Sequence, residues 1–496
     1  MVKGNYIDGK WRHALGKRTF EKRSPSDLDE VVGVFPDSDG KDVDLAVQAA
    51  RGAFDPWRRL SLIRRGEYID RFVQLVKADH EKLAKLMAWE MGKPINECRA
   101  DVTEGIHMAQ YFFGLARMPY GDSVASEIAE KDSYMLRHPK GVCGVITPWN
   151  FPFAIPVWLV IPSLFAGNTV VFKPAEDTPL LAQKLVEYFE DAELPPGVLN
   201  LVQGEGSRAG WPVVIHPDVA VVLFTGSYEV GAKIKEAVAR DWRKMAACEM
   251  GGKNAIIVFD DANLEMAASA SVISAFKTAG QRCSAASRLL VQEGILKEFT
   301  SRFLEMAGRI NIGDPLDDKT FMGPVINQAA VDKILLYNEA AHKEGANVLK
   351  KGGRLKGGIF DKGYYLSPFI YTMEHNPDSK VLREEVFGPH VAIIPFRTID
   401  DAIRIHNDVD FGLTMSVITE DYRKAARIRD DCHYGVGYHN LPCIGAEVHL
   451  PFGGVKKSGT GLPSASTLID VVTHRTSWSV NNGQEIKLAQ GLSAKV

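Results

Sequence analysis

The chain has 496 residues, 45% of them hydrophobic and 24% charged, enough apolar material for about two to four cores and too much for a disordered chain. Its net charge of -3 arises from interspersed acids and bases with no long basic stripe, which excludes nucleic acid as a partner. Residues 1–11 lack the apolar core of a signal peptide, and the most apolar stretch, 157–166, is short and interrupted by Pro162, so the expectation is a cytoplasmic protein with no membrane partner.

In chain order, Tyr6-Ile7-Asp8-Gly9-Lys10-Trp11 sets an Asp-Gly turn between strand formers and reads as a short surface hairpin. Apolar residues recur at helical spacing over 43–54 and 63–76, and the helical pattern runs on to Met91. Residues 132–141 are strand-like. Strands are then expected at 141–147, 169–172, 199–202 and 219–224, with helices at 180–192 and 228–239 between them. Short apolar strands alternating with amphipathic helices specify a parallel sheet covered on both faces, with ligands at the strand C-termini. A second such series runs through 255–259, 287–291, 391–395 and 435–439, giving an α/β fold with two parallel-sheet, Rossmann-like domains. A last strand at 476–480 has no home in either and is free to pair with another subunit.

Several segments carry groups capable of chemistry. Gly280-Gln281-Arg282-Cys283-Ser284 puts a thiol beside a glycine-led turn, where a thiolate is a competent nucleophile, although a lone cysteine is usually a small buried hydrophobe. Glu249-Met250-Gly251-Gly252-Lys253-Asn254 places a carboxylate before two glycines and reads, alone, as a surface turn. Pro148-Trp149-Asn150-Phe151-Pro152 is a stiff loop that can fix the Asn150 amide as a hydrogen-bond donor. Lys173 and Glu176 close the strand at 169–172, where a ribose hydroxyl is within reach, and 224–231 runs strand, glycine turn, helix start, aiming N–H groups at an anion. The six cysteines, Cys98, Cys143, Cys248, Cys283, Cys432 and Cys443, contain no CxxC pair, and the histidines lack ligand spacing, so neither a disulfide framework nor a metal site is expected.

Taken together and in this order, these segments resemble the aldehyde dehydrogenase superfamily over nearly the whole chain. The resemblance also rests on Glu90-Met91-Gly92-Lys93-Pro94, Leu194-Pro195-Pro196-Gly197, Glu385-Val386-Phe387-Gly388-Pro389 and Pro451-Phe452-Gly453-Gly454. It implies a non-acylating, NAD(P)-dependent oxidation of an aldehyde to its acid. Cys283 is then the nucleophile, Asn150 with the Cys283 N–H the oxyanion donor, and Glu249 the base that activates water on the thioester.

The cofactor residues implied are Ile146, Thr147, Trp149, Lys173, Glu176, Phe224, Gly226, Ser227, Gly231, Glu385 and Phe387. A carboxylate at Glu176 suits a free ribose 2′-hydroxyl, which favours NAD and leaves NADP as the alternative. The implied division is 1–120 with 139–248 for the cofactor and 249–440 for catalysis. Residues 121–138 with 474–490 form a small β oligomerisation flap, giving a homodimer or homotetramer, and 441–473 a substrate loop and return.

Three positions depart from the family pattern. Tyr228 stands where a threonine is usual, Leu159 where many members carry lysine, and Gly461-Leu462-Pro463 replaces Gly-Arg-Glu. Asn440-Leu441-Pro442-Cys443-Ile444-Gly445-Ala446-Glu447 resembles the substrate loop of members acting on amino-acid semialdehydes, pointing to a carboxylate-bearing semialdehyde. The alternatives are a branch that passes the thioester to coenzyme A, against which Glu249 argues, and a non-catalytic relative, against which retention of Cys283, Glu249 and Asn150 argues.

Overall fold

The computed structural model describes residues 2–492. Runs such as Val142–Ile146 and Asn254–Val258 are buried at every position, the pattern of strands covered by helices on both faces. They lie in two seven-stranded sheets.

The first sheet is ordered Met245–Met250, Val219–Gly226, Val142–Ile146, Thr169–Lys173, Leu199–Leu201, Asn5–Ile7, Lys10–Arg12. Its first five strands run parallel. The chain leaves Val142–Ile146 toward Thr169–Lys173 and returns on the other side as Val219–Gly226, so the topological switch point, where such sheets bind ligands, lies between Val142–Ile146 and Val219–Gly226. The expected hairpin forms, with Asp8 and Gly9 both at positive φ as its tight turn requires. It is no surface ornament, because Asn5–Ile7 is buried and extends the sheet through Tyr6 opposite Leu201.

The second sheet is ordered Asn347–Arg354, Leu366–Thr372, His390–Phe396, Ala286–Gln292, Asn254–Val258, Thr414–Ile418, Val436–His439, parallel except for its first strand. Four strands across the two sheets escaped the sequence pattern: Met245–Met250, Asn347–Arg354, Leu366–Thr372 and Thr414–Ile418. The first reads Met-Ala-Ala-Cys-Glu-Met, with no β-branched residue to mark it. Glu249 therefore stands on a buried strand, and its reading as a surface turn is corrected.

The tail strand, Thr473–Asn481, pairs along its whole length with Lys131–Pro139 of the same chain. Asp122–Val124 completes this three-stranded flap, so the strand's first partner is internal and one edge remains open.

Candidate active site

The two sheets face a shared cavity of about 400 Å³. Cys283, Asn150 and Glu249 line it together.

Asn150 follows the strand Val142–Ile146 and is buried. Its Nδ2 donates to the Gln281 carbonyl at 3.1 Å, leaving the second amide hydrogen for another acceptor. The loop carrying it is braced from below by the helix Ile95–Leu115. Lys93 and Asp101 pair at 2.7 Å with both side chains fully buried, and Asp101 Oδ1 accepts the Ala154 N–H at 2.7 Å. The Lys93 ammonium also sits 3.8 Å from the centre of the Phe151 ring. Removing one partner of such a pair leaves a buried charge uncompensated, at a cost of about 3–5 kcal/mol.

Cys283 lies between the helix Leu264–Phe276 and the strand Ala286–Gln292. The chain enters through three consecutive residues at positive φ, Thr278, Ala279 and Gly280. Gly280 is required here because a Cβ would collide with the Gly388 carbonyl. Gln281 fastens the loop, donating to the Thr278 carbonyl at 3.0 Å and accepting the Ile326 N–H at 2.9 Å. Asn254 Nδ2 donates to the carbonyls of Cys283 at 2.6 Å and Ala285 at 3.0 Å. Among the described residues the Cys283 N–H has no acceptor. Burial, then the carboxylates of Glu385 and Glu249, push the thiol up to about 12.

Among the described residues the Glu249 carboxylate accepts one hydrogen bond, from the Gly454 N–H at 3.1 Å. Its burial raises its pKa well above the ordinary carboxylate range, only partly offset by that bond. The supporting segment is stitched to its strand by Met250 N–H to Ser458 at 2.8 Å and by an isolated bridge between Glu249 and Gly459.

The remaining expected residues form two groups. Trp149, Gly226, Ser227, Glu385 and Phe387 line the same cavity as Cys283. Ile146, Thr147, Lys173, Glu176 and Phe224 do not, but they form the adjoining sheet edge, and Gly231 stands in the first turn of the helix Tyr228–Ala239. Phe224 lies opposite Ile146 and Ile146 opposite Lys173 across three adjacent strand ends, and Thr147 donates its N–H to the Lys173 carbonyl at 3.2 Å. Lys173 is buried and pairs with Glu176 at 2.9 Å. Burial raises the Glu176 carboxyl, but Lys173 outweighs it and holds the group below its ordinary value.

Ser227 caps the helix Tyr228–Ala239, whose free N–H groups favour an anion. Glu385 accepts the Gly252 N–H at 2.8 Å, and Phe387, at φ 61°, meets Trp149 edge-on with centroids 5.6 Å apart. Tyr228 packs against Phe411, with the Lys457 ammonium 5.0 Å from its ring centre. A sheet-edge carboxylate for ribose hydroxyls, a helix N-terminus for phosphates and an aromatic-walled cavity with a second carboxylate make a donor set that fits a dinucleotide.

Sequence reasoning missed three residues that build this site: Asn254, Gln281 in its bracing role, and Glu97. Gln281 and Asn254 lay inside quoted motifs. Glu97 sits 181 residues from the turn it holds, a pairing that one sequence does not display.

Comparison with known proteins decides the family: the sequence model described as "Aldehyde dehydrogenase family" matches residues 11–477. The chain belongs to the aldehyde dehydrogenase family. It is 39% identical to α-ketoglutaric semialdehyde dehydrogenase of Bacillus subtilis (strain 168) over 92% of this chain and 93% of that one. It is 38% identical to human retinaldehyde dehydrogenase 3, over 92% and 88%. Among solved structures, betaine aldehyde dehydrogenase of Staphylococcus aureus in complex with NAD+ aligns with a TM-score of 0.94 at 32% identity, covering 99% of this chain and 97% of that chain. The NAD-dependent aldehyde dehydrogenase of Sinorhizobium meliloti aligns with a TM-score of 0.93 at 36% identity, covering 98% and 95%. These likenesses agree with the expected family and with the expected two-sheet α/β fold.

Proposed function

We propose that the protein is a hydrolytic, NAD-dependent aldehyde dehydrogenase in which Cys283, Asn150 and Glu249 do the chemistry. The observation that carries this reading is their convergence on one cavity with Ser227, Glu385 and Phe387. Cys283 gives its thiol proton to water, its Sγ adds to the aldehyde carbon, and the developing oxyanion accepts hydrogen bonds from the second hydrogen of the Asn150 amide and from the Cys283 N–H.

Bound NAD supplies the hydride acceptor that lets this adduct become a thioester. Glu385, Ser227 with the helix start at Tyr228, and Lys173 with Glu176 would hold that cofactor. Glu249 then takes a proton from water, which attacks the thioester carbon and releases the acid and the Cys283 thiol. The pair Lys173 and Glu176 favours NAD, because an ionised carboxylate beside the ribose repels a 2′-phosphate.

For the substrate we favour a semialdehyde carrying a carboxylate. Arg282, next to the nucleophile, lines the cavity, and its Nη1 makes no hydrogen bond among the described residues. The carboxyl of Glu104, also in the lining, is pushed up to about 8 by burial and then by Asp101, so near neutral pH it is mostly protonated and does not repel an anion. The likeness to the α-ketoglutaric semialdehyde dehydrogenase of Bacillus subtilis supports the same class.

The division into a cofactor lobe (1–120 and 139–248), a catalytic lobe (249–440), a flap (121–138 and 474–490) and a connecting substrate loop (441–473) fits these roles. The flap supports a homodimer or homotetramer, since Thr473–Asn481 keeps one unpaired edge and Trp478, Tyr134 and Val124 are exposed on its three strands. Six free cysteines suit the reducing cytoplasm, and no helix among the described residues is long and apolar enough to cross a membrane.

The test is NADH absorbance with a panel of aldehydes, NAD and NADP in parallel, and no coenzyme A. Turnover with NAD that favours carboxylate-bearing semialdehydes over alkyl and aryl aldehydes supports both parts. Turnover only after coenzyme A is added, or a preference for simple aldehydes, overturns the hydrolytic part or the substrate class respectively.

A further inference from the structure

The turn that delivers Cys283 is conformationally costly. Thr278 and Ala279 both sit near φ 54°, a left-handed conformation that a β-branched residue adopts only under constraint, and Gly280 continues it at φ 70°. Such a turn persists only where its surroundings over-determine it.

The constraint comes from the other lobe. Glu97 stands in the first turn of the helix Ile95–Leu115 and is buried. Its Oε1 accepts the Thr278 N–H at 2.9 Å, and its Oε2 accepts the Thr278 hydroxyl at 2.6 Å and a short bond from Arg282 Nη2. Arg282 Nε returns to the Thr278 hydroxyl oxygen at 3.0 Å, closing the network around the turn. Burial alone raises the Glu97 carboxyl, but the cations Arg282 and Lys277 and the Thr278 hydroxyl outweigh it and keep the group ionised. Three donors converge on this carboxylate, and a neutral amide has one oxygen and two competing donors of its own.

We infer that Glu97 is a positioning residue for the nucleophile: from the cofactor-side lobe it holds Thr278-Ala279-Gly280 in the left-handed turn that sets Cys283 beside the Asn150 amide. Without it, Thr278 and Ala279 relax toward ordinary right-handed geometry and the thiol, a few residues on, leaves the reach of the oxyanion donor. This rests on Cys283 being the nucleophile, the reading given above. It touches neither the sheet edge at Lys173 and Glu176 nor Glu385, so cofactor affinity is independent of it.

The experiment measures the rate constant of the first NADH burst, the Kd for NAD by quenching of protein fluorescence, and Tm, in wild type, Glu97→Gln, Thr278→Val and Glu97→Gln/Ala279→Gly. Glu97→Gln is expected to slow the burst about 10- to 100-fold with NAD Kd within about twofold, and Thr278→Val to act in the same direction with a smaller loss. Glycine adopts the left-handed conformation without penalty, so the double variant is expected to regain about tenfold of the lost rate. A burst in Glu97→Gln within about twofold of wild type overturns the inference, as does a loss that Ala279→Gly leaves untouched. Should Glu97→Gln not fold, a Thr278→Val burst equal to wild type overturns it instead. Undiminished NADH formation in Cys283→Ala would strike the nucleophile reading itself.

Discussion

Asn150 donates its side-chain amide to the carbonyl of Gln281, two residues before Cys283, at 3.1 Å. The donor proposed for the oxyanion is thus oriented by the very loop that presents the nucleophile. Asn150 follows a strand of the first sheet and Cys283 precedes a strand of the second, so this hydrogen bond ties the two segments together across the cavity.

Replacing Asn150 by alanine removes one preorganised donor from the cavity. The expected loss is about 100- to 1,000-fold in kcat, or about 2.7–4 kcal/mol, with KM for NAD little changed. A loss under about fivefold in steady-state assays would mean that the Cys283 N–H suffices alone.

The resting state of Cys283, the proposed nucleophile, is testable through pH. Burial and the neighbouring carboxylates push the thiol up to about 12, so Cys283 is protonated at neutral pH and its thiolate fraction grows about tenfold per pH unit below that value. Iodoacetamide inactivation of the cofactor-free enzyme should therefore rise log-linearly from about pH 7 to pH 9. A plateau near pH 7 would show an already ionised thiol and contradict this electrostatic picture.

The base proposed at Glu249 shifts catalysis with pH in the same direction. A carboxyl raised by burial is protonated below its pKa and acts as a base only above it, so thioester hydrolysis should increase with pH through a limb lying above the ordinary carboxylate range. Steady-state kcat against pH in wild type and in Glu249→Gln checks this: the limb should be present in the first and missing in the second.

The proposed preference for NAD turns on Glu176, whose side chain is 44% exposed and paired with Lys173. Changing Glu176 to serine removes the charge that repels a 2′-phosphate and frees Lys173 to meet it. NADP-supported kcat/KM should rise about tenfold, equivalent to about 1.4 kcal/mol. An unchanged NADP to NAD ratio would move the source of the preference away from this pair.

Legibility followed physical character. The helices Pro179–Asp191 and Tyr228–Ala239 are legible because their apolar positions recur at helical spacing between apolar strands. Strands buried on both faces, such as Thr169–Lys173, stood out as unbroken apolar runs. Met245–Met250 did not, since alanine, cysteine and methionine carry no strand signature, and the strand bearing Glu249 was read as a turn. The roles proposed for Cys283, Glu249 and Asn150 rest on motifs legible in the sequence, whereas the contacts that hold these residues do not. Glu97 to Thr278 and Asn150 to Gln281 are contacts between lobes, separated by 181 and 131 residues, and periodicity carries no record of such pairs.

The most direct test of the central claim is a rapid-quench experiment with Glu249→Gln, NAD and a semialdehyde substrate, reading NADH formed and the mass of the peptide containing Cys283. The account predicts a burst of about one NADH per active site, slow later turnover and an acyl adduct on Cys283 that decays with the same slow rate. NADH released without any adduct on Cys283, or undiminished steady turnover in Glu249→Gln, would contradict it.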